Sequence, residues 1–238
     1  MISYEIPFPV RAVEKVFFRF VLELVSRGIQ VEGRENLPEK PPFLIGFNHF
    51  GWAEGLVPHI LLSAKNCPYT ITKIENMKGM LGKLLHSFGF IGIRRGEADM
   101  GALRRAIKLL ENGHIIATAL EGTRGRGNER LQSKNAKPGL IFLATYFKEP
   151  LPIVPMAIWG QNELTFPLID VEGFRFKDLR NLRKVPLYIK IGKPFIPILE
   201  AGKNRTANSR IRNALANQLL ERIEELLPPN YSGSISMK

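Results

Sequence analysis

The chain has 238 residues, of which 45% are hydrophobic and 24% charged, a composition typical of a globular protein rather than a disordered one. A single cysteine, Cys67, excludes an intramolecular disulfide framework, and the four histidines do not form a zinc-ligand pattern. The length suffices for one large domain with its own core. The net charge of +12 indicates an anionic partner. Nucleic acids, anionic membranes and phosphorylated substrates all remain candidates.

The first predicted element is an amphipathic helix over residues 10–27. Hydrophobic side chains recur there at the spacing of one helix face, and most of the charged side chains fall on the other. Its uncharged runs are far shorter than the ~20 residues that a bilayer crossing requires. Two interpretations remain open: the helix packs on the domain core, or it lies in the headgroup plane of a membrane with Phe17, Phe18 and Phe20 as anchors.

Short strands alternate with helices through the rest of the chain. Hydrophobic alternation and short apolar runs predict strands over 29–32, 43–47, 71–74, 90–93, 114–120 and 153–158, and a strand with a turn over 187–194. Helical periodicity predicts helices over 56–64, 77–88, 99–111, 139–147 and 206–227. This alternation predicts a single α/β domain, with a mixed, mostly parallel sheet that is flanked by helices and preceded by the N-terminal amphipathic helix.

A histidine and a carboxylate follow the buried strand over 43–47. His49 comes directly after this strand, and Glu54 is five residues further on. On one continuous helix the two side chains would lie on different faces, so they can meet only if His49 lies in the turn before a helix and Glu54 in its first turns. A carboxylate bonded to one ring nitrogen would leave the other nitrogen free as a general base. A histidine beside an acid is more often structural than catalytic, so this pair alone does not define an active site.

Two further strands also lead into polar residues. Arg94-Arg95 ends the strand over 90–93, and Glu121-Gly122-Thr123-Arg124 ends the strand over 114–120. Arginine binds phosphate through paired hydrogen bonds, and a glycine lets backbone N–H groups approach an oxyanion. Because ligands gather beyond the carboxyl ends of the strands in open α/β sheets, we predict that the three strand ends converge on one anionic substrate.

In their order and spacing, these residues resemble the motifs of the 1-acylglycerol-3-phosphate O-acyltransferase (lysophosphatidic acid acyltransferase) family. The family's first motif, N-H-x-x-x-x-D, is matched by Asn48, His49 and, with a change, Glu54. The likeness covers roughly residues 31–197. Its other parts are Gly89 to Arg95 for the second motif, Glu121 to Arg124 for the E-G-T-R of the third, and Ile153-Val154-Pro155 for the fourth.

The resemblance implies an O-acyltransferase that moves a fatty acyl group from acyl-CoA or acyl carrier protein to the free hydroxyl of 1-acylglycerol 3-phosphate. The product would be phosphatidic acid, in phospholipid biosynthesis. His49 would act as general base, and Glu54 would orient it. The residues implied to bind the acceptor are Arg95, Glu121, Gly122, Thr123 and Arg124.

The resemblance also implies where the chain works and with what. It would use acyl-CoA or acyl carrier protein as co-substrate and would need no cofactor and no metal. Its partners would be the lysophospholipid acceptor, the acyl donor and an anionic membrane surface, with no nucleic acid. We expect a peripheral or monotopic protein on the cytoplasmic face of a membrane. Residues 1–28 would form the membrane-interface helix and residues 29–238 the acyltransferase domain.

Two departures from the family pattern leave the acceptor open. Glu54 replaces the family's aspartate and adds one methylene to the arm that should hold the imidazole. Ala119-Leu120 replaces a Phe-Pro pair before the third motif, which removes a rigid element but no chemical group. Another lysolipid, a glycolipid or an aminolipid therefore stays open as the acceptor. A non-catalytic basic protein that binds membranes is the alternative outside the enzymes.

The remaining candidate residues fit structural positions. Cys67 has no base beside it in the sequence and is expected to be a bystander. His59, His86 and His114 lie in apolar helix or strand patterns and are expected at core or boundary positions. The basic segment over 172–185 fits either a solvated face or a bilayer contact.

Overall fold

A computed structural model describes residues 5–48, 53–94, 99–120, 136–160, 186–199 and 205–229. Seven strands in these ranges form one sheet. Their bounds are β1 Ile29–Glu32, β2 Leu44–Phe47, β3 Tyr69–Lys73, β4 Phe90–Ile93, β5 Ile116–Ala119, β6 Ile153–Trp159 and β7 Leu187–Ile191.

Six α-helices lie in the same described ranges. Their bounds are α1 Phe8–Val25, α2 Val57–Leu61, α3 Gly79–Ser87, α4 Met100–Glu111, α5 Gly139–Ala144 and α6 Arg205–Leu226. Short 3₁₀ helices cover Arg34–Asn36, Ala53–Leu56, Ala64–Asn66 and Ile74–Met77. None of the helices in the described part of the chain combines the length and the hydropathy that a bilayer crossing requires.

The sheet has the strand order β1-β7-β6-β2-β5-β3-β4. Every neighbouring pair is parallel except β6 and β7, which are antiparallel. Five strands, from β6 across to β4, therefore run in one direction, and their carboxyl ends lie at the same edge of the sheet. The predicted α/β fold with a mixed, mostly parallel sheet is confirmed.

Helices cover both faces of the sheet, and each face has its own hydrophobic core. Successive residues of β2 alternate between them: Leu44 packs in one core, and Ile45 packs in the other. The Ile45 core is closed by α1 and α2, through residues such as Phe18 and Val57. The other core is closed by α4, α5 and α6. A strand buried on both faces reads as a continuous apolar run, which is why the sequence predicts it well.

The packing of α1 differs from the sequence prediction. Phe18 is 2% exposed and lies in the core, so its prediction as a membrane anchor is wrong. Val16 and Phe20 are 71% and 62% exposed, and the half-exposed Phe17 lies on the same outward side. The helix thus contacts the domain with one apolar stripe and turns a second apolar stripe away from it.

Several predicted ends differ by a few residues from the observed ones. The helix predicted over 56–64 is divided, because α2 ends at Leu61 and the next residue, Leu62, has an extended backbone. The strand predicted to lead into a turn within 187–194 ends at Ile191, and the glycine and proline that follow lie outside it. The helix predicted over 99–111 matches α4 because the Asp99 side chain accepts a hydrogen bond from the Ala102 N–H at 3.0 Å and caps the helix.

Candidate active site

Three parallel strands lead toward the predicted site residues from the same edge of the sheet. His49 follows the end of β2 by two residues, Arg95 follows β4 by two, and Glu121 follows β5 by two. The ends of β2 and β5 are direct neighbours, with Phe47 opposite Ala119. Strands lie about 4.8 Å apart, so the ends of β2 and β4 are separated by roughly 14 Å, across β5 and β3.

Part of the predicted site lies outside the described residues. These residues are His49, Arg95, Glu121, Gly122, Thr123 and Arg124, together with the basic segment over 172–185. Their roles stay predictions. The described residues closest to them in the sequence are those at the strand ends and those at the start of the helix after His49.

Asn48 fixes the end of β2, one residue before His49. Its side-chain amide donates to the Ile158 carbonyl at 2.8 Å, and its carbonyl oxygen accepts from the Ile158 N–H at 2.8 Å. Both groups are buried, so the amide satisfies a backbone donor and acceptor of β6 that would otherwise be costly to leave unpaired. The resemblance to the family motif gives Asn48 no physical role. The structure shows one, which is to pair with the backbone of β6.

Glu54 lies in the first helical turn after the strand end, as the five-residue spacing requires. It belongs to the 3₁₀ helix Ala53–Leu56, which runs directly into α2. Its side chain is only 2% exposed. Carboxylates are rarely buried without a charged or hydrogen-bonded partner, so this environment suits a group that orients an imidazole. Because His49 lies outside the described residues, the orienting role of Glu54 stays a prediction.

A second histidine–carboxylate pair lies deep in the domain. His59 Nδ1 contacts Glu14 Oε1, and His59 Nε2 lies 2.8 Å from the Thr70 hydroxyl. His59 and Glu14 are fully buried. The Arg11 guanidinium lies 3.0 Å from the other oxygen of Glu14 and neutralises its charge. The sequence predicts a core or boundary position for His59, which is correct, but it does not reveal these partners.

The partners of His59 define its tautomer. A carboxylate only accepts, so Nδ1 carries the proton and donates to Glu14, and Nε2 then accepts from the Thr70 hydroxyl. Burial lowers the pKa of His59 from its ordinary value of 6.5, against an opposing effect of Glu14. The imidazole is therefore neutral near pH 7, and the charges of Arg11 and Glu14 balance.

Arg11 connects this pair to the rest of the fold. Its guanidinium donates to the carbonyls of Pro68 and Phe88 at 3.2 and 3.3 Å and lies 4.3 Å from the Tyr69 ring centroid. Gly89 has a φ of 85°, and a β-carbon there would lie 2.7 Å from Arg11 Nη1. A glycine is thus required both by the backbone conformation and by the approach of the guanidinium.

Cys67 belongs to the same cluster. Its sulfur lies 3.5 Å from Glu14 Oε1 and 3.5 Å from His59 Nδ1, so three groups of metal-ligand type lie within 4.8 Å of one another. Arg11 already supplies the positive charge beside Glu14, which favours a hydrogen-bonded cluster over a cation site. Burial, with a contribution from Glu14, raises the pKa of the Cys67 thiol. A protonated, buried thiol is not a nucleophile, in agreement with the prediction.

The other two histidines differ from each other. His86 is exposed on α3, so its predicted core or boundary position is wrong. His114 is partly exposed at the loop before β5 and stands at the boundary, as predicted. Neither contributes to the Glu14–His59 cluster.

An apolar cleft opens beside β4, next to the strand end that leads to Arg95. It has a volume of about 260 Å³ and is lined by Ile74, Met77, Gly92 and Ala102, among others. A β-carbon at Gly92 would lie 2.7 Å from Ile74 Cδ1, so a side chain there would require Ile74 to shift. The outer edge of the sheet thus offers a mainly apolar cleft beside β4, which His86 and Arg105 also line.

This architecture belongs to the class of α/β proteins that bind substrates beyond the carboxyl ends of parallel strands. The Acyltransferase family model matches residues 28–159, more than half of the chain and six of the seven strands. The chain therefore belongs to the acyltransferase family, and the resemblance found in the sequence is confirmed at the level of the family.

Two similar proteins carry the name 1-acyl-sn-glycerol-3-phosphate acyltransferase. That of Bacillus subtilis (strain 168) is 27% identical over 135 residues, which are 57% of this chain and 64% of that protein, so the match spans less than two thirds of its length. That of Borreliella burgdorferi is 24% identical over 209 residues, 86% of this chain and 75% of that protein.

A solved structure shares the fold. The crystal structure of the 1-acyl-sn-glycerophosphate (LPA) acyltransferase PlsC from Thermotoga maritima matches with a TM-score of 0.56 and 20% sequence identity. The match covers 89% of this chain and 78% of that one. At this identity the likeness concerns the fold alone.

Proposed function

We propose that the chain transfers a fatty acyl group from the thioester of acyl-CoA or acyl carrier protein to the free hydroxyl of 1-acylglycerol 3-phosphate, and so forms phosphatidic acid. The family membership and the names of the two relatives support this class of reaction. One structural observation carries the proposal: three parallel strands end at one edge, each two residues before a member of the motif set.

In the proposed reaction His49 is the general base. Its free ring nitrogen takes the proton of the acceptor hydroxyl, and the oxygen attacks the thioester carbonyl. The tetrahedral intermediate collapses with breakage of the C–S bond, and the departing thiolate takes a proton from the imidazolium. Glu54 holds the ring and offsets the charge that it gains. General-base assistance of this kind supplies roughly 10²–10⁴-fold, and positioning supplies more.

The basic groups at the neighbouring strand ends are assigned to the acceptor. Arg95 and the turn from Glu121 to Arg124 would hold its phosphate, with Arg124 in direct contact. Adjacency of the β2 and β5 ends supports this assignment, because it lets a phosphate and a reacting hydroxyl of one small molecule span the two. Arg95, which follows β4 three strands from β2, is assigned a more distant contact with the same phosphate.

We propose further that the outward face of α1 binds an anionic membrane surface, which is where the acceptor resides. Val13, Val16, Phe17 and Phe20 form an exposed apolar stripe on this helix. Isolated exposed apolar residues are ordinary, but a continuous stripe with aromatic side chains is typical of an interfacial helix. The net charge of +12 favours anionic lipid.

The experiment is an acceptor panel with the purified chain. Thiol release from acyl-CoA is measured with detergent or vesicles alone, and after addition of lysophosphatidic acid, lysophosphatidylcholine, lysophosphatidylethanolamine or a glycolipid. We expect release that depends on the acceptor and is fastest with lysophosphatidic acid, because only that acceptor presents a dianionic phosphate to the arginines.

The panel separates the alternatives. Faster turnover of another lysolipid or of the glycolipid would keep the acyltransferase and replace its acceptor. Absence of thiol release with every acceptor and with both donor carriers, in a chain that still binds anionic vesicles, would favour the non-catalytic membrane-binding alternative.

A further inference from the structure

We propose that His59 and Thr70 are positioning residues: they hold the backbone that carries Glu54, although neither touches the reacting atoms. The inference rests on the proposed function, since it concerns the carboxylate assigned to orient His49. It gives a role to a buried polar cluster that the proposed reaction does not use.

The His59 ring is held in one orientation by contacts on several sides. Glu14 and Thr70 hold its two nitrogens. Its face stacks on the Phe90 ring, with a centroid distance of 5.1 Å and an interplanar angle of 5°. Phe18 meets it edge-on, with a centroid distance of 5.2 Å and an angle of 85°. Because both nitrogens are hydrogen-bonded and the ring also contacts Phe90 and Phe18, the imidazole cannot rotate without breaking several interactions at once.

The same groups lie beside the backbone that follows Glu54. The 3₁₀ helix that carries Glu54 runs directly into α2, which carries His59. Gly55 follows Glu54, and a β-carbon at that position would lie 3.7 Å from the Phe90 ring and 3.9 Å from the Thr70 methyl group. Thr70 and Phe90 are themselves paired across β3 and β4. The backbone next to Glu54 therefore lies beside the two residues that also hold His59, with space for little more than a β-carbon between them.

The cluster also fixes the position of α1 against these residues. Glu14 lies on α1, and its partner Arg11 binds the carbonyls of Pro68 and Phe88, at the start of β3 and the end of α3. Four elements thus meet at one hydrogen-bonded cluster behind Glu54. Catalytic geometry tolerates only fractions of an ångström, so a shift of the cluster would displace the carboxylate enough to slow the reaction.

Two substitutions at Thr70 separate the hydrogen bond from packing. Thr70→Val keeps the shape and the methyl group beside Gly55 but removes the hydroxyl that holds His59 Nε2. Thr70→Ser keeps the hydroxyl and removes the methyl group. We expect Thr70→Val to lower kcat by about ten- to a hundredfold, with the acceptor KM unchanged, and Thr70→Ser to retain kcat near that of the wild type. Steady-state kinetics well below the melting temperature of each variant measure both constants.

A second pair of variants tests the hydrogen bond at the other ring nitrogen of His59, Nδ1. Glu14→Gln leaves one acceptor oxygen where the carboxylate has two, so the side chain can no longer accept from both His59 Nδ1 and Arg11, and we expect it also to lower kcat at an unchanged KM. Glu23→Gln makes the same change on the same helix, in an exposed pair with Arg19 at 2.8 Å, and is expected to leave both constants unchanged.

The outcomes distinguish this inference from the proposed function. Wild-type kcat in Thr70→Val, or a loss in Thr70→Ser that equals or exceeds the loss in Thr70→Val, would overturn the positioning role. If Thr70→Val does not fold, Glu14→Gln decides in the same way, against Glu23→Gln. Lack of acceptor-dependent turnover in the wild type would instead refute the proposed function, and the positioning role with it.

Discussion

The side chain of Asn48 takes the place of a backbone partner where β2 ends. It pairs with both the N–H and the carbonyl of Ile158, each at 2.8 Å, in a buried position. The residue after it is His49, so this pair of hydrogen bonds determines where the chain leaves the sheet on its way to the assigned base. A substitution here changes the starting point of the catalytic segment without removing a reactive group.

Asn48→Ala is expected to lower the free energy of unfolding by about 3 kcal/mol, because two buried backbone groups of Ile158 lose their partners. Denaturant unfolding measures this loss. Asn76→Ala is the matched control: the Asn76 amide makes an exposed bond to the Thr72 hydroxyl, and its removal should change stability by less than about 0.5 kcal/mol. Equal effects of the two substitutions would contradict the role given to Asn48.

The position and contacts of a single residue could be predicted from the sequence only where its partners are close in the chain. The spacing of Glu54 from His49 predicts its place in the first helical turn, since only local geometry is involved. The partner of His59 is Glu14, 45 residues earlier, and no local pattern connects them. A signal was present nonetheless: Arg11 and Glu14 share the helical face of Phe18, so a charged pair on an apolar face indicated a buried partner.

At the scale of the element, α1 has two apolar stripes, and only one of them can face the domain. Phe18 lies in the core, and the exposed side carries Val16 and Phe20. The periodicity of residues 10–27 predicts the helix, and α1 covers Phe8–Val25. It does not predict the orientation, because both stripes have helical spacing and the choice depends on the sheet that receives them.

Substitutions on the two stripes should have opposite effects. Phe18→Ala is expected to cost about 3–5 kcal/mol of stability, as it leaves a cavity in the core. Phe20→Ser should leave stability nearly unchanged but weaken partitioning onto vesicles that contain anionic lipid by about tenfold, because an exposed phenyl group no longer enters the bilayer. Thermal unfolding and vesicle sedimentation measure the two effects.

Glu23→Ser is the control for the vesicle measurement, since Glu23 is an exposed polar residue of the same helix. It should leave partitioning unimpaired. Vesicle binding that is unaffected by Phe20→Ser would show that another surface of the chain meets the membrane.

At the scale of the whole molecule, the proposed function depends on sheet topology. Three segments that are far apart in the chain begin at one edge because β2, β5 and β4 are parallel members of one sheet. The alternation of strands and helices predicts such a sheet, and the fold is confirmed. The order of the strands is not readable from the sequence, because strand pairing is decided by long-range packing that leaves no periodic signal.

The order matters for the chemistry. It makes the strand before His49 and the strand before Glu121 direct neighbours, and it sets the strand before Arg95 further away. The motif resemblance supplies the residues, and the topology shows which of the strands before them are direct neighbours. Arg124 is accordingly assigned the direct phosphate contact and Arg95 a more distant one.

The most direct test of the account is the acceptor-dependent release of CoA by His49→Ala, measured beside the wild type with lysophosphatidic acid. With melting temperatures matched, we expect turnover to fall by about 10²–10⁴-fold, the share that a general base contributes. Full turnover in His49→Ala would contradict the assignment of the base, and with it the claim that these strand ends form the site of acyl transfer.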